Sequence, residues 1–278
     1  MATQIEIVQQ LSTMTSRGAL QAARELAAES LVKFPDDGRL WEIAGLLDHA
    51  KGDPDSCERR LETAQTLTPL RPAASCGLAD AYRHFGRNAL AKDLYAHVVT
   101  LDQSSIRLWQ YCALRLDEIG AVAQAVDAAR RVAAAQPENA QSIFEFGYYL
   151  SRFGTASQLV AAVMKQAISL APDQVSYRLG LADLLLSTGD RSAAFAWIQG
   201  LSARQIEQLT CPCCLERLAR LFESGNDWVR AHACRVWIDR HSVNERPTAR
   251  FSSSFLIQEY LLETDGLRQA TSAAALRA

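Results

Sequence analysis

PLRPAASCGLADAYRHFGRNALAKDLYAHVVTLDQ, from Pro69 to Gln103, decides how this chain reads. Two runs of apolar and small residues at helical spacing are parted by Gly86, opened by Pro69 and Pro72 and closed by Asp102-Gln103. Glycine lets a chain leave a helix at positive φ without a side-chain penalty, and proline resists being added to a helix end. The stretch therefore predicts helix, tight turn, helix, stop. The pattern repeats in both directions. Pro35, Pro69, Pro137 and Pro172 stand 34, 68 and 35 residues apart, and Asp102-Gln103 fills the beat that the longer gap skips. Gly18, Gly52, Gly86, Gly120, Gly154, Gly189 and Gly225 keep nearly the same interval. A unit this short cannot bury a core of its own, so it must stack on its neighbours.

Aligned in this way, the units begin near Gln4, Gly38, Pro72, Ile106, Ala140 and Val175, with a degenerate seventh near Cys211. They predict one repeat array over residues 1–242 and a separate tail over 243–278. The fifth unit is one residue longer, which shifts its second helix, near Thr155 to Leu170. Between Gly200 and Cys211 the second helix of the sixth unit is expected to be extended or broken. In the tail, Phe251, Phe255, Leu256, Tyr260 and Leu261 give one helix an apolar stripe, with Ser252 to Ser254 offering an N-cap. End repeats need a cover for their open face, so this stripe predicts a capping helix; the final TSAAALRA reads as frayed.

The residues inside the units narrow the choice. Trp41-x-x-Ala44-Gly45 and Trp109-x-x-Cys112-Ala113 put a large residue before a small pair, and Leu78-Ala79-x-x-Tyr82 with Ala91-x-x-x-Tyr95, Phe146-Gly147-x-x-Leu150, and Leu181-Ala182-x-x-Leu185 with Ala194 put a large residue three places after a small one. This resembles the tetratricopeptide repeat, whose pattern places a large residue, a small pair, then a small residue and a proline in a helical hairpin. The resemblance covers roughly 200 residues, although no unit matches at every position. It implies an all-α, right-handed solenoid of six to seven hairpins, closed by the C-terminal helix.

The resemblance also implies a concave groove lined by the first helix of each hairpin. Groove positions fall on Arg39, Glu42, Leu46 and His49; on Asp80, Arg83 and His84; on Arg107, Gln110, Leu114, Asp117 and Glu118; on Phe144, Tyr148 and Arg152; and on Leu179 and Asp183. Mixed charge with aromatic anchors suits an extended or helical peptide, Phe144 and Tyr148 serving as rigid contacts. Some members of the family clamp a C-terminal carboxylate with Lys and Asn residues. The corresponding places here hold Val8, Ser12, Ile43, Ala73 and Gly77, so that clamp is disfavoured. An adaptor, chaperone or assembly factor with a protein partner is the expected role. The alternative is a subunit that recruits or regulates a separately encoded glycosyltransferase, sulfotransferase or secretion ATPase through its outer face or tail.

Composition limits the other classes. Twenty-nine basic and 31 acidic side chains leave a formal charge of −2, so nothing concentrates a nucleic-acid backbone. Lysine occurs only at positions 33, 51, 92 and 165, which we read as the arginine bias of a GC-rich bacterial genome. The N-terminal stretch has no basic start before an apolar run, and no segment is apolar enough to insert in a membrane; the expected location is the cytoplasm. Cys57, Cys76 and Cys112 fall on core positions and read as buried thiols. Cys211, Cys213, Cys214 and Cys234, with His232 and His241 nearby, are candidate ligands of zinc or copper in a metal-handling alternative, although their spacing fits neither paired knuckles nor a finger. Buried structural cysteines are the simpler reading, and a redox pair is the remaining alternative. No nucleophile, phosphate-loop or paired-carboxylate motif is present, and the array with its cap accounts for almost the whole chain. Neither an enzyme nor a cofactor is expected.

Overall fold

A computed structural model of the protein describes residues 3–207, 209, 212–241 and 250–263, and every regular element in them is helical. The chain divides into two compact units, one of residues 1–128 with 249–278 and one of residues 129–248. That division cuts across the predicted boundary at 242, because the tail belongs with the first repeats.

In the first unit, α1 (Gln4–Ser16) pairs with α2 (Leu20–Lys33), α3 (Gly38–Lys51) with α4 (Pro54–Leu67), and α5 (Pro72–His84) with α6 (Asn88–Thr100). Helix α7 (Ile106–Glu118) and the start of α8 (Val122–Ala135) follow. Polar side chains start these helices at the places the hairpin needs them: Thr3 and Glu6 form a capping box on α1, Asp37 caps α3, Asp53 caps α4 ahead of Pro54, and Ser105 caps α7. Helix α5 begins differently, since Arg71 offers its first turn no side-chain cap.

Each first helix ends on a glycine with φ between 74° and 88°, from Gly18 to Gly189. The Gly52 N–H donates to the His49 carbonyl and the Asp53 N–H to the Asp48 carbonyl, which satisfies the last carbonyls of α3. Neighbouring first helices then pack directly, α3 on α5 and α5 on α7. Small residues permit the approach. A Cβ on Gly45 would lie 2.6 Å from Cγ of Leu61, so helices α3 and α4 meet at a distance that no larger residue allows. Leu40, Ile43, Leu46, Leu47, Leu61 and Leu78 are almost fully buried in this packing, each contributing about 1.5–3 kcal/mol of apolar burial.

The second unit holds the rest of α8, then α9 (Ala140–Arg152) with α10 (Ser157–Leu170), α11 (Val175–Ser187) with α12 (Arg191–Ile198), the single turn α13 (Ala203–Glu207), and α14 (Pro212–Ser224) with α15 (Trp228–His241). The extra residue of the fifth hairpin sits in its turn, so α10 starts three residues after Gly154 where α4 starts two after Gly52. Helix α12 stops after eight residues, which is the break anticipated between Gly200 and Cys211. Leu201 tucks into the core beside Ile198, Leu218 and Phe222. Gly225, expected as the seventh turn glycine, does not have positive φ; Asn226 does, at 61°. Gly225 has another reason to lack a side chain, because a Cβ there would lie 2.1 Å from the Phe195 ring.

The last described helix, α16, spans 255–263. Its apolar stripe is buried as expected, with Phe255, Leu256, Ile257 and Tyr260 at most 2% exposed. It lies in the first unit, on α3, α5 and α7. The TSAAALRA end falls outside the described residues.

Candidate functional site

The face formed by the first helices α3, α5 and α7 gathers a dense set of buried polar groups. Asp80 on α5 is 6% exposed. His49 of α3 donates to its Oδ2 at 2.7 Å, the Tyr95 hydroxyl of α6 donates to Oδ1 at 2.6 Å, and the Tyr111 hydroxyl of α7 donates to Oδ2. The Nε atoms of Arg115 and Arg83 stand 3.4 and 3.7 Å from Oδ1. Burial alone would raise the Asp80 pKa; the hydrogen bond and charge of His49, the Arg115 charge and the Tyr111 hydroxyl overcome it and hold the carboxyl at about 2. Burial, reinforced by the Asp80 charge, pushes the Tyr95 and Tyr111 hydroxyls well above their ordinary range. The cluster keeps one ionised carboxylate fixed among neutral and cationic donors. A cavity of about 190 Å³ opens beside it, with His49, Asp80, Arg83, His84 and Arg115 in its wall.

The other half of the same face is occupied by the tail. Tyr260 of α16 donates its hydroxyl to Oε2 of Glu42 at 2.6 Å, and the Arg71 guanidinium lies 5.1 Å from the centre of the Tyr260 ring. Glu259 accepts from the Ser105 hydroxyl at 2.6 Å and pairs with Arg107 at 2.9 Å. Glu263 accepts from the Ala73 N–H at 3.3 Å, on the first turn of α5 that Arg71 leaves uncapped. Phe251 and Phe255 pack on the Tyr111 ring at 5.0 and 5.2 Å, and the other end of Tyr111 reaches Asp80. Gly77 leaves room for Leu46, whose Cδ2 would lie 2.9 Å from a Cβ there, and Leu256 lies at ordinary contact distance from the same place. Burial pushes Glu42 upward against the bonds it accepts from Tyr260 and the Arg71 N–H. Burial raises Glu263 to about 8, with the Glu42 and Glu259 charges adding to it.

These facts sort the predicted groove residues. Glu42 and Leu46 are buried in the first unit and Leu179 in the second. They do not line open space: Glu42 is covered by Tyr260, and Leu179 packs in the core around Leu218 and Phe222. His49, Asp80, Arg83 and His84 meet at the cavity wall, with Arg83 3.6 Å from Glu118. Arg39 is exposed, Gln110, Leu114 and Asp117 are half-buried, and Arg107 belongs to the tail contact. In the second unit Phe144 stacks on Tyr177 at 4.5 Å, Tyr148 is 44% exposed, Arg152 is exposed, and Asp183 pairs with Arg217 at 2.6 Å. Sequence reasoning missed Arg71, Tyr111, Arg115, Tyr260 and the tail carboxylates. One signal was there to read: Asp80 is the one charged residue in the small-residue run from Pro72 to Ala81, so it had to find partners.

The cysteines separate in the same way. Cys57, Cys76 and Cys112 are buried free thiols, with the sulfurs of Cys76 and Cys112 3.6 Å apart. Cys214 and Cys234 are also free, and Cys214 packs at the edge of the second unit's core. Cys213 departs from the buried-thiol reading, being exposed and held in a disulfide, which removes its sulfur from any ligand set. Cys211 lies outside the described residues. Among the described residues no three His, Cys, Asp or Glu side chains are grouped to hold a metal ion. No described helix is long and apolar enough to cross a membrane.

No family profile and no curated protein matches the chain. Solved structures do. The C-terminal part of a TPR repeat-containing protein from Cytophaga hutchinsonii superimposes with a TM-score of 0.63 over 85% of this chain and 96% of that one, at 13% identity. A chain of the Naa15/Naa10 structure bound to HypK-THB superimposes with a TM-score of 0.56 at 14% identity. It is matched over 86% of this chain and 37% of its own length. At these identities the likeness establishes the fold, an all-α array of tetratricopeptide-type hairpins.

Proposed function

We propose that the chain is a protein-interaction scaffold that receives helical segments of other proteins on the face of its first helices, as an adaptor, chaperone or assembly factor does. The observation that carries this reading is α16 itself, a helix laid across α3, α5 and α7 and anchored by aromatic rings and carboxylates. Such a face already holds one helix by the means a partner would use, apolar anchors surrounded by polar contacts that set register. In the first unit the part left open is the cavity with His49, Asp80, Arg83 and His84. In the second unit the candidate contacts are Phe144, Tyr148 and Arg152 on α9 and Asp183 on α11. A single segment on such a face is expected to bind at about micromolar strength, roughly −8 kcal/mol.

Site-specific photo-crosslinking in native lysate tests the assignment. A photo-reactive residue in place of Arg83 or Tyr148 is expected to capture a partner protein, while the same residue in place of Leu90 on α6 or Leu159 on α10 is not. Capture confined to the second helices would move the binding surface to the other side of the hairpins and refute the proposal.

A further inference from the structure

The contact between α16 and the first unit has a chemistry that a permanent cap does not need. Glu42 and Glu259 are 1% and 2% exposed, and Glu263 joins them in the same contact. Burying carboxylates costs more than burying apolar groups of the same size, and ion pairing at best roughly offsets that cost. One oxygen of Glu263, Oε2, is buried with no hydrogen-bond partner among the described residues. The cation on the other side is only partly withdrawn from water, since the Arg107 side chain is 57% exposed. Specific but costly polar pairs are what an interface needs when it must form in one register and still let go.

The register is distinctive. Glu259 and Glu263 lie one helical turn apart and reach the N-terminal ends of two neighbouring first helices, Glu259 at Ser105 and Arg107 of α7, Glu263 at the Ala73 N–H of α5. Ser105 and Arg107 hold the Glu259 carboxylate at the first of these ends; at the second the Ala73 N–H donates to Glu263, although burial outweighs that bond and favours the protonated acid. One turn before Glu259, Phe255 fills the space between Tyr111 and Arg107; one residue after it, Tyr260 reaches the buried Glu42. The pattern along the helix is therefore Phe-x-x-x-Glu-Tyr-x-x-Glu.

We infer that the face of α3, α5 and α7 is a docking site for an acidic amphipathic helix of a partner protein with this aromatic and carboxylate spacing, and that α16 occupies it as an intramolecular competitor. The inference rests on the scaffold reading above and adds to it the chemistry of the partner. A tethered tail competes at an effective concentration on the order of millimolar, so the closed form persists until a partner of higher affinity or concentration displaces it.

The test uses the full chain and a fluorescent synthetic peptide of residues 250–263 as the probe. Phe255→Ala with Glu259→Ala in the chain's own tail weakens the competitor and leaves α3, α5 and α7 intact. Anisotropy titration is expected to show at least about tenfold tighter peptide binding to this variant than to the unaltered chain. Adding Arg107→Glu to the variant should remove about tenfold or more of that binding. Equal binding to all three, with helix content unchanged, overturns the inference. Hydrogen exchange on the unaltered chain gives an independent arm in case the variant does not fold. Amides of 256–263 should exchange through an opening that leaves Leu78 to Tyr82 protected. Equal protection of both segments makes the tail an inseparable part of the core and refutes the proposal. If the peptide fails but crosslinked partners still map to the first helices, the scaffold reading stands and only the partner chemistry falls.

Discussion

Asp80 and Asp183 occupy the same position of the repeat, nine residues into a first helix, and the two units treat them differently. In the first unit Asp80 is sealed beneath hydrogen bonds from His49, Tyr95 and Tyr111, and the face around it is partly covered by a helix that arrives from far along the chain. In the second unit the Asp183 side chain is 35% exposed and has one ion pair, to Arg217 of the next first helix. Nothing in the two aspartates accounts for this. The difference comes from neighbours, tyrosines on α6 and α7 in one case and an arginine on α14 in the other. A shared repeat therefore fixes where a side chain is placed, while the adjoining hairpins decide whether it becomes structure or surface.

Removing each carboxylate tests that contrast with the largest expected effect. Asp80→Ala leaves two buried hydroxyls and the His49 ring without their acceptor, and is expected to cost about 3–5 kcal/mol. Asp183→Ala removes a half-exposed pair and is expected to cost about 0–1 kcal/mol. Urea unfolding followed by circular dichroism measures both. Similar losses for the two variants would mean that the cluster around Asp80 contributes no more than a surface ion pair.

The hairpins were legible in the sequence because their determinants are local. Prolines, turn glycines and small residues act within a few positions of themselves, and they located the helices, the lengthened fifth turn and the break after α12. The apolar stripe of the tail was legible for the same reason. Its destination was not, since the partners of Glu259 and Tyr260 lie 154 and 218 residues away and no local pattern encodes such a pairing. The same blindness placed Glu42 and Leu46 in an open groove: a charged residue at an inward position reads as solvated until its distant cover is known. Gly225 shows the converse. It was assigned to a turn from its spacing, when the demand on that glycine comes from the Phe195 ring.

A second effect, smaller than the loss of Asp80, separates the covered face from the open one by pH. Glu263 faces the Ala73 N–H, Arg71, Glu42 and Glu259, and docking raises its pKa from the ordinary 4.5 to about 8. Between those values the docked tail binds more protons than the released one, so raising the pH through this window favours release. The shift of Glu42 has the same sign. Asp80 has the opposite sign but titrates near 2, below the window. Hydrogen-exchange protection of 256–263, corrected for the intrinsic pH dependence of exchange, should fall several-fold between about pH 5 and pH 8.5 and respond less in Glu263→Gln. No comparable change is expected on α9, whose Tyr148 carries no such cover. A pH response unchanged by Glu263→Gln would assign the effect to another group.

The smallest effect concerns the turns and asks whether the repeat rule extends into the second unit's last hairpin. At Gly52 the N–H bonds to the carbonyl three residues back, and the next N–H to the carbonyl five residues before it; Asn226 and Asp227 make the same two bonds, to Glu223 and Phe222. Asn226 is thus the true counterpart of Gly52, displaced one residue from the glycine that its spacing suggests. Asparagine tolerates the left-handed region better than residues with bulkier side chains, and alanine pays the full steric penalty there. Asn226→Ala and Gly52→Ala are therefore each expected to lower stability by about 1 kcal/mol, while Asn226→Gly should stay within about 0.5 kcal/mol of the unaltered chain. Urea midpoints resolve these values, and an Asn226→Ala variant as stable as Asn226→Gly would show that the seventh turn does not depend on left-handed backbone at this position.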